Sequence, residues 1–312
     1  MALRYGWKLD RPNSRLEVQV AGQTVAYFPG RGSEYTPHGK AFYVDMVNGS
    51  ADYNGLSPET PKATIATALA LCTADNDDYI YVISKGEGTY VEGATVALSK
   101  ARVHIIGVSN GPHAYGQLKS ATDFDVFTVT GRYSEIANFR IAGGSNCGGA
   151  LITNATGTYI HHCEFGNKDA ATTPKYGIWG LHQINTYCTF EDNLFMGSGG
   201  GASAGTISDT GIYMGDSAFR GSIIRNSVFI NLPTSAIYGS GWDGASVMGN
   251  CISCDADTAG AGISLTNCQA VMVANNSANY GKGAMSANPF VDNGTTDCWG
   301  INYKATTATL PS

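Results

Sequence analysis

The strongest constraint on this chain is a repeat that runs through it twice. In most copies of the first series a short polar residue, any residue and then an apolar one follow each other. The copies are Phe139-Arg140-Ile141, Cys163-Glu164-Phe165, Asn193-Leu194-Phe195, Ser227-Val228-Phe229, Asn250-Cys251-Ile252 and Asn276-Ser277-Ala278. Their closing apolar positions lie 24, 30, 34, 23 and 26 residues apart. A second series alternates with the first: Ala150-Leu151-Ile152, Gly177-Ile178-Trp179, Gly211-Ile212-Tyr213, Ala236-Ile237-Tyr238, Gly262-Ile263-Ser264 and Gly283-Ala284-Met285. Its central positions are 27, 34, 25, 26 and 21 residues apart. Short strands returning at this period, with no helix between them, predict a stacked β-solenoid. No coil buries its inward side chains alone, so neighbours must cover each other. The uneven gaps are loops leaving one coil while the strands keep register. Leucine-rich repeats share the period, but their leucine consensus is missing.

The polar positions of the first series gain a role in such a stack. Asn193, Ser227, Asn250 and Asn276, in line with Cys163, are expected at one corner of successive coils. There a side chain can bond to the coil above or below and satisfy buried turn backbone. Composition agrees with tight corners: 40 of 312 residues are glycine, against an ordinary share of about 7%. Only 14% are charged, against about 25% in an average soluble protein.

The same numbers exclude several function classes. The net charge is −6 and no run of Lys or Arg occurs, so no nucleic-acid partner is expected. No apolar stretch approaches the roughly 18 residues of a membrane span. The first ten residues carry no apolar signal-peptide core. Of the eight cysteines only Cys251 and Cys254 are spaced as CxxC. With no second pair and no nearby His they do not make a zinc site, and free, mostly buried thiols are expected.

Residues 1–40 stand apart. Leu16–Val20 and Thr24–Phe28 alternate in character around Ala21-Gly22-Gln23, which predicts a β-hairpin with a three-residue loop. A lone hairpin is marginal in water, so this leader is expected to dock on a partner or on the main body. Residues 61–73 form the one convincing helix, with Ile65, Ala68, Leu69 and Cys72 on one face and Thr60 or Thr64 as cap. Strands are expected at 78–83, 103–107 and 124–129.

Phe42-Tyr43-Val44-Asp45, Asn48-Gly49-Ser50, Asn54-Gly55-Leu56-Ser57, Lys62-Ala63-Thr64-Ile65, Ala68-Leu69, Asp78-Tyr79-Ile80-Tyr81-Val82 and Gly88-Thr89-Tyr90-Val91-Glu92 follow in order. This run resembles the opening segment of right-handed parallel β-helix proteins, in which a helix caps the first coil. The resemblance covers residues 41–92 by motif and 100–290 by periodicity. The segment is found in polysaccharide lyases, surface proteins and bacteriophage structural proteins. The leader, cap and brief β-helix together most resemble phage virion proteins such as head decorations, fibres and tailspike-like subunits. That resemblance implies a homotrimer, attached to other virion proteins of the capsid or tail through residues 1–40. One departure is Ser84-Lys85-Gly86-Glu87-Gly88, which stands where the family has a proline-glycine before the tyrosine and implies a remodelled first turn.

An enzyme on this scaffold would need visible parts. A hydrolase needs paired carboxylates roughly 5–9.5 Å apart, and neighbouring coils, about 4.8 Å apart, could supply them. The candidates are Glu191 with Asp192, Asp209, Asp216 and Asp243, of which Glu191, Asp216 and Asp243 are carried forward as the catalytic alternative. They do not fall in one column, and the Gly-His-Gly and Arg-Ile-Lys motifs of pectin-degrading relatives are missing. His161 and His162, adjacent on a strand, should point to opposite faces and make a poor metal site. The glycine-rich segment 196–205 lacks the Gly-Lys-Ser/Thr of a phosphate loop. No metal and no cofactor is implied.

Trp179, Tyr213 and Tyr238 each follow the inward Ile of their coil, so alternation points them outward. Trp242 lies just beyond. This aromatic stripe reads as a subunit interface, as a surface covered by the chain's own loops, or as a platform for host glycan. The expected organisation is an attachment leader (1–40), a β-helix opening with capping helix (41–100), coils (101–290) and a C-terminal tail (291–312). The expected function is a structural virion protein of a tailed bacteriophage, assembled in the host cytoplasm. The alternative is a polysaccharide depolymerase, either lyase or glycoside hydrolase. A secreted adhesin is a third class.

Overall fold

A computed structural model of the chain describes residues 5–10, 15–20, 23–28, 39–83, 89–108, 116–120, 124–144, 147–166, 174–181, 185–197, 206–215, 219–254, 261–280 and 289–305. Beyond the leader the chain winds into a right-handed parallel β-helix of three sheets with eight, ten and nine strands. Each full coil contributes one strand to each sheet, and the paired residues lie 23 to 38 positions apart in the chain. The leader is a separate antiparallel sheet. Its strands Arg15–Val20 and Gln23–Phe28 form the expected hairpin, and Tyr5–Asp10, which the sequence pattern did not reveal, adds a third strand along Arg15–Val20.

The repeat positions stack as rungs. Ile141, Phe165, Phe195, Phe229, Ile252 and Ala278 pair in one unbroken row of the nine-stranded sheet. The three phenylalanines stack ring on ring, with centroids 4.9 and 4.7 Å apart and nearly parallel planes. Each is fully buried, a contribution of about 1.5–3 kcal/mol per side chain from burial alone. The second series forms a row of the eight-stranded sheet, Leu151, Ile178, Ile212, Ile237 and Ile263. The row ends differently from the sequence expectation. Ile263 pairs with Phe290, and Ala284 lies outside the described residues. The Gly-x-Met spacing mimicked a rung, whereas a bulkier aromatic six residues on fills the last inward position. The coils also continue past residue 290. Phe290–Thr295, Cys298–Trp299 and Tyr303–Ala305 add a final rung to the three sheets, so residues 291–305 of the stretch expected as a tail are part of the solenoid, and 306–312 lie outside the described residues.

Two of the three corners carry a residue in the left-handed region on rung after rung. Asn138, His162, Asp192, Asn226, Gly249 and Asn275 leave the ten-stranded sheet with φ between 51° and 66°. Tyr133, Gly157, Tyr187, Gly221, Gly244, Ala270 and Thr296 lead into it with φ between 53° and 70°. Asn and Asp tolerate this region better than most residues, and Gly adopts it without steric penalty. The third corner, from the nine-stranded to the eight-stranded sheet, varies from rung to rung. It runs from Phe165 to Tyr176, from Met196 to Thr210 and from Ile230 to Ser235. Most of the uneven repeat spacing originates there, and the corner into the ten-stranded sheet adds to it, being longer from Gly180 to Thr189 and from Met214 to Ile223 than from Leu98 to Val103.

Immediately after the first corner comes the polar ladder. The backbone N–H of Cys163 donates to Asn193 Oδ1 at 2.9 Å, that of Asn193 to Ser227 Oγ at 3.2 Å, and that of Ser227 to Asn250 Oδ1 at 3.0 Å. Asn250 N–H donates to Asn276 Oδ1 and Asn276 N–H to Asn302 Oδ1, each at 3.0 Å. The asparagine amides donate in turn to Ile160, Ile224, Val247 and Val273 carbonyls. The ladder thus satisfies the corner N–H groups and ties them to strand carbonyls, and it runs one rung further than the sequence indicated, to Asn302.

The helix covers Ile65–Leu71, shorter than the expected 61–73. Thr64 caps it in a reciprocal box with Thr67, and Ile65, Ala68, Leu69 and Cys72 are buried. Pro61 and Lys62 precede the helix because Lys62 pairs as extended chain: its N–H donates to Tyr43 O, and its O accepts from Asp45 N–H. Lys100 closes the other end. Its Nζ donates to the carbonyls of Leu69, Ala70 and Cys72 at 2.8, 2.9 and 2.6 Å, doing what a glycine cap does in other helices. The motif residues around the helix fix loops. Asp45 accepts from the Val47 and Asn48 backbone. Fully buried Asp78 accepts from the N–H groups of Lys40 and Thr73. Residues 84–88 lie outside the described residues.

Candidate functional site

Two outward surfaces carry the chemistry-bearing side chains. On the eight-stranded sheet Trp179, Tyr213 and Tyr238 occupy one register row, and all three are half-buried. The Tyr213 and Tyr238 rings stack 5.0 Å apart at 11°. The third member of the stack is Tyr176, 4.4 Å from Tyr213 at 14°. Trp179 instead tilts by 55° against Tyr176 at 5.8 Å and lies over Gly148, where a Cβ would come within 1.8 Å of its ring. Each stacked pair contributes about 0.5–1.5 kcal/mol beyond area burial. Lys175 sits over the Tyr176 ring, 5.0 Å from its centroid, and 3.9 Å from Asp209.

Trp242 does not belong to this surface. It is fully buried, packed on Phe219 at 4.6 Å, with its Nε1–H donated to Met214 O at 3.1 Å. The strand before it ends at Ser240, so alternation no longer applies, and the bare Cα of Gly239 leaves room for the indole, 2.4 Å from where a Cβ would stand.

The ten-stranded sheet carries a titratable network that no short motif announced. Register places Tyr79, His104, Glu135 and Tyr159 in one outward row and His161, Glu191 and Arg225 in the next. Glu135 lies between two imidazoles: Oε2 is 2.7 Å from His104 Nδ1 and Oε1 is 2.8 Å from His161 Nε2. His104 Nε2 also reaches Asp77 at 3.4 Å, and Asp77 is paired with Arg102. Rings of Tyr79 and Tyr159 stack on His104 and His161 at 4.3 and 4.1 Å. Glu191 accepts from the Tyr159 hydroxyl and the Arg225 guanidinium. Burial works to raise the Glu135 carboxyl, but the two histidine hydrogen bonds outweigh it and bring it down to about 2. Burial likewise opposes ionisation of Glu191, and Tyr159 and Arg225 overcome it, holding the group below its ordinary value. Both carboxylates are therefore ionised and already engaged at neutral pH.

His161 and His162 do not point to opposite faces. Their Nδ1 atoms are 2.8 Å apart, because His162 turns the corner with φ +51° and breaks the alternation. That contact needs one protonated and one bare nitrogen, so two imidazoliums could not keep it. Among the described residues no group of three or more His, Cys, Asp or Glu is arranged to hold a metal ion.

The carboxylates considered for catalysis are not gathered. Glu191 ends a strand of the ten-stranded sheet. Asp243 sits in a corner, bridging the Arg220 and Gln269 backbone, with Oδ2 3.5 Å from Arg220 Nε. Asp192 faces His162 at 3.8 Å, and Asp209 accepts from its neighbour Thr210. Asp216 lies outside the described residues. Cys72 and Cys163 thiols are pushed up to about 12 and Cys188 to about 11, chiefly by burial, which makes them poor nucleophiles. Cys251 and Cys298 are exposed free thiols. No described helix is long and apolar enough to cross a membrane.

No family model and no curated protein matches the chain. Solved structures do. Escherichia coli YbhC is 11% identical, over 91% of this chain and 89% of its own, with a TM-score of 0.52. Pectate lyase Pel9A is 15% identical over 86% and 78%, at 0.44. Geobacillus virus E2 ORF18 is 14% identical over 94% and 69%, at 0.31. At 11% identity the likeness to YbhC is one of fold alone.

Proposed function

We propose that the chain is a structural β-helix module of a tailed-bacteriophage particle. In this reading residues 1–40 attach it to other virion proteins, and three copies associate through outward faces that include Trp179, Tyr213 and Tyr238. The observation that carries the reading is how the outward charged groups are used. Glu135, Glu191 and Glu164 each bridge one coil to the next through His104 and His161, through Tyr159 and Arg225, and through Arg140 at 3.0 Å. Such pairs hold the stack together. Glycoside hydrolysis needs two carboxyls in opposite protonation states, and Glu135 and Glu191 are both held ionised.

The second reading is a polysaccharide depolymerase. It is favoured by the stack of Tyr176, Tyr213 and Tyr238 beside Lys175 and Asp209, aromatic rings with polar neighbours of the kind that hold sugars. One experiment separates the two. The full chain is incubated with host capsule and with pectin, and reducing and unsaturated ends are measured. We expect no release, together with a trimeric mass by light scattering that survives deletion of residues 1–40 while particle binding is lost. Release of ends that disappears in Glu191→Gln, Asp216→Asn or Asp243→Asn would replace the structural reading with the enzymatic one.

A further inference from the structure

The corner leading into the ten-stranded sheet holds several non-glycine residues in the left-handed region, Arg102, Ala270 and Thr296 among them, and two of these are tyrosines. Glycine occupies this left-handed position at 157, 221 and 244, with φ of 70°, 56° and 64°. Tyr133 and Tyr187 occupy it with φ of 56° and 55°, a conformation costly for a bulky side chain. Neither ring is used to fill the core: Tyr133 is 52% exposed and Tyr187 68%. Strain held at an exposed position is a pointer to use.

The rings are nevertheless fixed in place. A Cβ on Gly157 would stand 2.3 Å from Tyr133 Cδ1, and one on Gly221 would stand 2.9 Å from Tyr187 Cε1. Each tyrosine therefore rests on the bare backbone of the rung above and leaves the rest of its ring in solvent. The backbone beneath is pinned as well. The N–H groups of Tyr133, Gly157 and Tyr187 each donate at 2.8 Å to the next rung's carbonyl, on Thr156, Thr186 and Arg220. The two tyrosines alternate with glycine, so they are two rungs apart, about 9.6 Å at a rung spacing of about 4.8 Å. Hydrogen-bonding groups line the same ridge. Arg132 pairs with Asp75 at 3.3 Å, Arg220 with Asp243 at 3.5 Å, and the Thr156 and Thr186 hydroxyls meet at 3.0 Å. Both arginines are more than half exposed.

We propose that this ridge is a binding site for an extended, β-1,4-linked glycan lying along the solenoid axis. In such a chain every second ring presents the same face, and two rings are about as long as two rungs. Alternate sugars stack on Tyr133 and Tyr187, and the hydroxyls between them bond to Arg132, Arg220 and the threonine pair. The charges on the ridge are balanced by Asp75 and Asp243, which suits a neutral sugar over an acidic one. The site is distinct from the stripe around Tyr213 and does not depend on how the leader is used.

The test is calorimetric titration of the full chain with cellohexaose, chitohexaose and xylohexaose, repeated on Tyr133→Gly and Tyr187→Gly. We expect at least one of the three to bind, and each variant to weaken it about tenfold or more. Glycine suits the left-handed corner, so the melting temperature should hold or rise in both variants, which a packing role for the rings would not allow. Absence of binding by all three sugars overturns the proposal, as does binding that both variants retain. Dissociation of an oligomer by the double variant also overturns it, showing the ridge to be a contact between copies.

Discussion

The inner Asn ladder and the outer His–Glu column both join coil to coil, yet they do so by opposite means. The ladder is neutral, buried and anchored on backbone: Asn193, Asn250 and Asn276 are at most 2% exposed, and each bonds main-chain groups of the rungs beside it. The column is charged, partly exposed and runs from side chain to side chain, through His104, Glu135, His161, Glu191 and Arg225. A broken ladder leaves buried amide and carbonyl groups without partners, whereas a broken column lets water in. The difference teaches that the ladder specifies the coil stack and that the column adjusts it to its surroundings.

Removing one rung of the ladder should do most to break that contrast. Asn250→Leu takes away the acceptor of Ser227 N–H and the donor to Ile224 O. We expect a loss of about 3 kcal/mol or more, read as a calorimetric midpoint lower by about 6 °C or more. Lys100 is an intermediate case, a charge anchored on backbone carbonyls at the end of the helix. Lys100→Met should cost about 1–2 kcal/mol by the same measurement, with partial relief from salt. Glu135→Gln should cost least at neutral pH, about 1 kcal/mol or below, since its pairs are reached by solvent.

The acid limb gives Glu135 a sharper test. Its folded value is lowered, from 4.5 to about 2. The stability it contributes is therefore complete above about 4.5 and is lost as pH falls through about 2. The melting temperature of the native chain should drop across that window, and Glu135→Gln should flatten this part of the profile. An Asn250→Leu profile parallel to the native one would confirm that the ladder carries no charge. A Glu135→Gln profile parallel to it would assign the acid sensitivity elsewhere.

The architecture was legible because inward positions repeat a narrow choice of residue: Ile, Leu and Phe recur wherever a coil turns its strand to the core. The polar ladder was legible for the same reason, since a short side chain just past a left-handed corner leaves few alternatives. The titratable column was not. Glu135, His161 and Glu191 are separated by 26 and 30 residues, and corners of varying length between them decide which rungs bring them together. Trp242 and His162 were misplaced because strand alternation was carried across a corner, where φ changes sign or the strand has ended. The same limit hid Tyr133 and Tyr187, whose left-handed backbone leaves no trace in residue type.

Length variation is greatest at one edge of the solenoid, and this has a practical meaning. Peptides of different size already leave the stack between the nine-stranded and eight-stranded sheets without rephasing the rungs on either side. That edge can accept foreign sequence, such as an epitope or a reporter peptide, at several heights along one line. The corner at the Asn ladder offers no such room from His161–Glu164 to Met248–Cys251, where two residues separate the strands on each rung, because an added residue there would take Asn193, Ser227 or Asn250 out of line.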